Sequence, residues 1–207
     1  IGVDLETFPR VRELAERHAD VHATVGVHPL YKDSREPDAD ELVRLADHPR
    51  VVAIGETGLD YFYAKEQRDW QRDRFIDHTR GAKEDTLALL REHGEGEVRG
   101  VLHCFTEDLD MAEQAMALGF YISISGIVTF RNAEALRDTV RQVPLERLLI
   151  ETDSPWLAPV PYRGKPNEPR YVARVAECVA ELKGIPVAEL AALTRDNFYT
   201  LFNKAAR

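Results

Sequence analysis

Short apolar, β-branched runs recur along this chain, each ending in Gly, His, Glu or Asp and each followed by an amphipathic stretch of helical period. The runs occupy residues 23–27 before His28-Pro29, 51–54 before Gly55-Glu56, 100–102 before His103, 121–125 before Gly126, and 148–150 before Glu151-Thr152-Asp153. Helical patterns fill residues 37–47, 65–77, 83–92, 108–118 and 133–143, and two more close the chain at 169–183 and 186–204. Gly184 followed by Ile185-Pro186 reads as the stop of one helix and the first position of the next. Strands alternating with helices predict βαβ units and a parallel sheet. The unbroken apolar cores predict strands covered on both faces.

An open doubly wound sheet and a TIM-like (β/α)8 barrel both satisfy this α/β pattern. Ionisable residues follow nearly every strand, which favours the barrel, because a barrel gathers all its strand C-termini at one mouth. With no linker or low-complexity tract, a single domain over residues 1–207 is expected. The strand count is short, however: five clear strands and the tail of a sixth at residues 1–3, against eight in a closed barrel. The chain opens as if within a βα unit. His78-Thr79-Arg80 also follows Asp77 with no apolar run before it, only Phe75-Ile76 among charges. An N-terminal strand and one interior strand, with the helix before it, are therefore expected to be missing from this chain, the interior one between Asp77 and His78. His78-Thr79-Arg80 is then the end of a strand rather than a patch on a helix, and Asp77 and His78 are not expected to be bonded.

Composition narrows the class. A 44% hydrophobic and 30% charged chain is ordinary for a globular protein, and no apolar run nears the ~20 residues that span a bilayer. The opening Ile1-Gly2-Val3 runs into Asp4 and Glu6, so no signal peptide is expected. Two cysteines make no disulfide framework and suggest a reducing, cytoplasmic setting. The net charge of −9 argues against a generic basic nucleic-acid surface. It leaves room for a nucleic-acid enzyme, because carboxylates can hold cations that in turn hold phosphate.

The chemistry-bearing residues sit at the ends of the apolar runs. Glu56 can reach the mouth of the sheet and bridge two cations; its plainer role is a first-turn acid of the next helix. Asp60 reads as ordering the loop. His103 at the end of GVLH is a good metal ligand if its other ring nitrogen is held, or else a satisfied histidine at the rim. Adjacent strand residues point to opposite faces, so Cys104 reads as packing. Asp153 is placed to bind a metal and accept a proton from its water, or to make an Asx turn before Pro155. The two-residue strand period puts Glu151 on the same face, where it can orient a ligand. His28, extended ahead of Pro29, can aim at the same mouth or lie in a surface loop. Together these N and O donors suit Mn²⁺, Zn²⁺ or Mg²⁺ with positions open for water, and no GxSxG or phosphate-binding glycine loop competes with that chemistry. Metal-assisted hydrolysis is the reaction class they favour.

The motifs GVHP, IGETGLDYFY, HTR, GVLHCFTED, GFYISISGIVTFRNA, LLIETDSPWLAPVPYRGKPNEP and the late DNF, spread over residues 24–201 in this order, resemble the TatD family of metal-dependent deoxyribonucleases. The resemblance implies a TIM-like barrel, two divalent metal ions (Mg²⁺, Mn²⁺ or Zn²⁺) as cofactors, and hydrolysis of DNA phosphodiesters, often from the 3′ end, with DNA (single strands or 3′ ends) as partner. It implies Glu56 as a bridging carboxylate, His78 and His103 as ligands of one metal, and Asp153 as a ligand of the other and the general base. It further implies a substrate-contact role for His28, and phosphate contacts for Arg80 and Arg163, whose planar forks suit phosphate.

Two departures from the family pattern coincide with the missing strands. The His-x-His pair of the first strand does not occur here, and the Pro-(apolar)-His-Thr-Arg strand is reduced to Asp77 running into His78. Two rivals follow: a barrel hydrolase of a small amide or ester, and a non-catalytic binding member lacking the N-terminal His-x-His ligands.

Overall fold

The computed structural model describes residues 1–31, 33–56, 58–60, 79–80, 83–94 and 97–205, with backbone alone at 59, 60, 79, 80, 83, 84 and 93. The chain divides into two compact units, Ile1–Gly94 with Phe202–Arg207, and Glu95–Leu201.

The first unit is built on β1 (Ala23–Val25) and β2 (Val51–Ile54), paired in parallel, with α1 (Phe8–Arg17) and α2 (Ala39–Ala46) packed on them. Its core joins Leu5, Phe8 and Ala15 to Ala23, Val25, Val27 and Val51. Asp38 starts α2 by accepting from the Glu41 amide at 2.7 Å, an N-cap bond that satisfies one of the helix's orphan donors. The carbonyls at the other ends meet cations. The Arg50 guanidinium, one residue before β2, donates to Ala15, His18, Ala19 and Val21 where α1 ends. The Lys204 ammonium donates to Ala46 and His48 where α2 ends. Two shorter strands, β3 (Leu59–Asp60) and β4 (Thr79–Arg80), pair in parallel, and α3 (Lys83–His93) follows.

The second unit has a three-stranded parallel sheet in the order β5 (Val101–Leu102), β6 (Tyr121–Ile124), β7 (Leu148–Ile150). Around it run α4 (Leu109–Ala117), α5 (Glu134–Gln142), α6 (Val172–Lys183) and α7 (Val187–Leu201). Central β6 is buried at all four positions. Asp108 caps α4 through the Met111 amide at 2.9 Å. Gly184 ends α6 in the left-handed conformation, φ 66°, and the Ile185 amide reaches back to Ala180 at 3.1 Å, the paired bonds of a Schellman stop. Buried Asn197 on α7 donates both amide hydrogens, to Leu145 and Leu148, each at 2.8 Å. The DNF motif thus pins α7 to the turn that leads into β7.

The five strands and six of the seven helices read from the periodicity appear, most trimmed by one or two residues; the helix expected at 65–77 lies outside the described residues. The pattern missed α1 and β3, and Asp60, read as ordering a loop, is the last residue of β3. Residues 1–3 carry no strand assignment, yet Gly2 donates to Thr24 at 3.1 Å and accepts from Glu56 at 3.2 Å, and Val3 accepts from His28 at 2.8 Å. The expected tail of a sixth strand therefore lies along the first sheet. Thr79 and Arg80 are strand, as expected, while His78 and its junction with Asp77 lie outside the described residues. Coverage on both faces holds for β6 but not for β2, which passes from buried Val51 to exposed Ile54. Among the described residues no helix is long and apolar enough to cross a membrane.

Replacing Asn197 with Ala leaves two carbonyls without their donor and is expected to cost about 2–3 kcal/mol, read as a fall of about 6 °C in melting temperature. A second expectation concerns pH. Burial, helped by nearby Arg50, lowers the His22 pKa, and its Nδ1 is buried without a hydrogen-bond partner. The folded state therefore binds this proton less readily than the unfolded chain. The His22 contribution to stability is intact above the usual histidine pKa and is lost as pH falls through the lowered one. Melting curves between pH 8 and 5 should show a loss at the acid end that shrinks in His22→Asn.

Candidate functional site

Two groups of side chains gather at the C-terminal ends of the strands, one in each unit. In the first, Gly26 just past β1 and Gly55 just past β2 approach so closely that a Cβ on Gly26 would stand 3.0 Å from the Gly55 backbone and 3.1 Å from the Glu56 carbonyl. That approach sets His28, two residues past Gly26, against Glu56, the residue after Gly55. His28 Nε2 lies 3.6 Å from Glu56 Oε1 with both side chains about one-fifth exposed. His28 Nδ1 accepts from the Leu30 amide at 3.2 Å, which leaves Nε2 as the protonated nitrogen of the neutral ring. His28 thus faces Glu56 as a donor, an arrangement that fits a contact to substrate oxygen and not a lone pair offered to a metal.

In the second unit the group spans all three strands. The Ser123 hydroxyl on β6 donates to Glu151 Oε2 at 2.6 Å, and the Glu151 amide continues the ladder to Ile124 at 3.0 Å. His103 Nδ1, just past β5, stands 3.4 Å from Glu151 Oε1. That oxygen is buried and has no hydrogen-bond partner at ordinary geometry among the described residues, and the imidazole stands over it. Cys104 is buried with Sγ 3.2 Å from the Ser125 hydroxyl, as expected of a packing residue.

Asp153 lies two residues further on, but not in a strand. β7 ends at Ile150, and Asp153 has a left-handed backbone, φ 58°. The shared face expected from the strand period therefore does not extend to it; a turn, not a pleat, sets its direction. Its carbonyl accepts from the Trp156 amide at 2.8 Å. A left-handed non-glycine residue is strained, and such strain collects at functional sites. Nearly buried Asn167 stitches this turn: its amide donates to Thr152 and Trp156, each at 2.6 Å, and its backbone N–H to Pro155 at 2.9 Å. Gly126 lets the turn close, since a Cβ there would fall 2.1 Å from the Leu157 carbonyl.

Arg163 is exposed, with its guanidinium 3.7 Å from the centre of the Phe130 ring and a bond to the Ala158 carbonyl at 3.4 Å. The Arg80 side chain and all of His78 lie outside the described residues. Of the residues singled out in the sequence, the structure brings His28 to Glu56 and His103 to Glu151. No group of three or more His, Cys, Asp and Glu able to hold an ion occurs among the described residues. Ser123 and Asn167 were not singled out. A serine inside the apolar run YISIS was the available signal for the first; nothing local marks the second.

The sequence model of the TatD-related DNases matches residues 1–203. The chain is 50% identical to an uncharacterized metal-dependent hydrolase of Escherichia coli, YcfH, over 218 positions covering 98% of this chain and 82% of the relative. It is 41% identical to an uncharacterized metal-dependent hydrolase of Bacillus subtilis, YabD, over 217 positions covering 98% and 85%. Both alignments are longer than the chain's 207 residues, so at least ten positions in each have no counterpart here. The crystal structure of the E. coli TatD homologue YjjV superposes with a TM-score of 0.87 at 31% identity, covering 98% of this chain and 84% of that one.

Ser123→Ala strips the partly buried Glu151 carboxylate of the short hydroxyl bond to its Oε2. The expected cost is about 2 kcal/mol, in the range for hydrogen bonds to charged groups, measured by urea denaturation. Ser123→Thr, which keeps the hydroxyl, should lose less.

Proposed function

The chain belongs to the family of TatD-related DNases and is a metal-dependent hydrolase, and on that premise we propose that it is a deoxyribonuclease cleaving DNA phosphodiesters from 3′ ends. The observation that carries this reading is the Glu151 carboxylate held behind His103. A carboxylate on one nitrogen of a histidine fixes the ring and raises the basicity of the other, the usual support behind a metal ligand. The donors Glu56, His78, His103 and Asp153 fit two ions of the Mg²⁺, Mn²⁺ or Zn²⁺ type. Such ions, when bound, supply an acidified water and positive charge for the attacking and leaving oxygens.

The chain's own groups divide the remaining work. Asp153 takes the proton of the attacking water, from a backbone held by the Trp156 and Asn167 bonds. His28 presents Nε2–H to a phosphate oxygen. Arg80 and Arg163 bind flanking phosphates, and together with the ions they supply the positive field that a net charge of −9 lacks. One family match over residues 1–203 supports reading the chain as a single hydrolase domain. We place the interior shortfall of the alignments immediately before His78, where the sequence lacks a strand core. Two free thiols, one buried, suit a reducing cytoplasm.

Chelation with EDTA is expected to abolish release of nucleotides from a 3′-labelled oligonucleotide, and Glu56→Ala to reduce it to background. Cleavage that survives either change would overturn the deoxyribonuclease reading, and hydrolysis of small esters with DNA untouched would replace it. Glu151→Ala should weaken Mn²⁺ binding by about 10- to 100-fold, as loss of a carboxylate behind a ligand does, measured by calorimetry without substrate.

A further inference from the structure

The turn after Asp153 displays a side chain that the reading above leaves unused. Trp156 is 70% exposed, the most exposed large hydrophobic side chain among the described residues. Tryptophan is ordinarily buried over most of its area, so an indole in water is a feature to be explained. Its backbone is not loose. The Trp156 amide is bonded to Asp153 and its carbonyl to the Asn167 side chain, which is 4% exposed and holds Thr152 as well. Gly126 packs under the following residue, Leu157, itself left-handed at φ 54°. The indole therefore stands on a backbone held by hydrogen bonds at both its amide and its carbonyl, three residues from the proposed general base. Ordering that backbone costs nothing further when a ligand arrives.

The same loop carries Arg163 with its guanidinium laid on Phe130, a cation presented at the surface with its orientation set. An exposed aromatic face and an arginine seven residues on in the same loop are the two parts from which single-stranded nucleic-acid grooves are built: the ring takes a base and the cation the backbone. A base inside a duplex has both faces stacked, and the last pair of a blunt end offers only its outer face, held in the plane of the pair, whereas an unpaired terminal base can turn either face to a protein ring. We infer that Trp156 is a stacking platform for an unpaired nucleobase at a strand end, and that it selects single-stranded over blunt duplex ends. The inference rests on the deoxyribonuclease reading for its substrate, and the experiment separates the two.

In a Trp70→Phe background Trp156 is the sole indole of the chain, and its fluorescence reports on it alone. A phosphorothioate oligothymidylate, which resists cleavage, is titrated in Mg²⁺ beside a blunt duplex of equal length and against ribose 5-phosphate. Quenching by the single strand only is expected. In otherwise unmodified protein, Trp156→Ala should raise KM on single-stranded DNA by about 10-fold, the loss of one base stack. Little change in kcat or melting temperature is expected, and Trp156→Phe should restore most of the affinity. Quenching without any cleavage of ordinary DNA would keep the platform and overturn the nuclease reading. Cleavage with no quenching, equal quenching by ribose 5-phosphate, or an unchanged KM in Trp156→Ala would overturn the platform.

Discussion

A single carboxylate ties the ends of three neighbouring strands together. Glu151 accepts from Ser123 on β6, faces His103 beyond β5, and through its own amide extends the ladder of β7 onto Ile124. A partly buried carboxylate is tolerable only if its oxygens are matched. Here one oxygen has a short hydroxyl bond and the other looks to an imidazole. Any shift of β5 against β6, or of β6 against β7, would strand that charge. The carboxylate therefore fixes the spacing of the strand ends and the aim of His103 at once. The chain that follows depends on it too, because Glu151 is the last residue on the ladder before Asp153 turns out of the sheet.

The two ends of the βα units are built on different principles. Where helices run out, cations or amides close the account of unsatisfied carbonyls: Arg50 below α1, Lys204 below α2, Lys183 below α5 through Arg141 and Val143, and Asn197 at the approach to β7. Cations suit these positions because the helix dipole is negative there. Burial lowers the Lys183 pKa, and its ammonium is held against two carbonyls. At the C-terminal ends of the strands the devices differ. Backbones approach at Gly26 and Gly55, Asp153 and Leu157 take left-handed conformations, and polar side chains face one another. The clasps that close helix ends thus sit at one end of the strands and the facing polar side chains at the other.

Much of this was legible in order of residues. The strand cores at 51–54 and 148–150 were read to the residue, since apolar runs bounded by Gly, His and Glu leave little freedom of placement. The stop at Gly184 follows from local chemistry. What escaped were elements whose signal is not local. The helix Phe8–Arg17 is half charged, with a buried face of Phe8 and Ala15 that is too thin to stand out. The strand Leu59–Asp60 is two residues long and is defined by its partner, Thr79–Arg80, rather than by its own composition.

The sequence by itself determined the class of fold, the donor types at the strand ends and, through its motifs, the family, because each is carried by residue identity and spacing along the chain. Tertiary structure alone decided the pairings. It set Glu151 against His103, gave His28 its protonated nitrogen toward Glu56, took Asp153 off the face that the strand period assigned to it, and recruited Ser123 and Asn167. The partners in these contacts lie between 2 and 48 residues apart in the chain. Periodicity says which way a side chain leaves its own element. Only the packing of one element on another says what it meets.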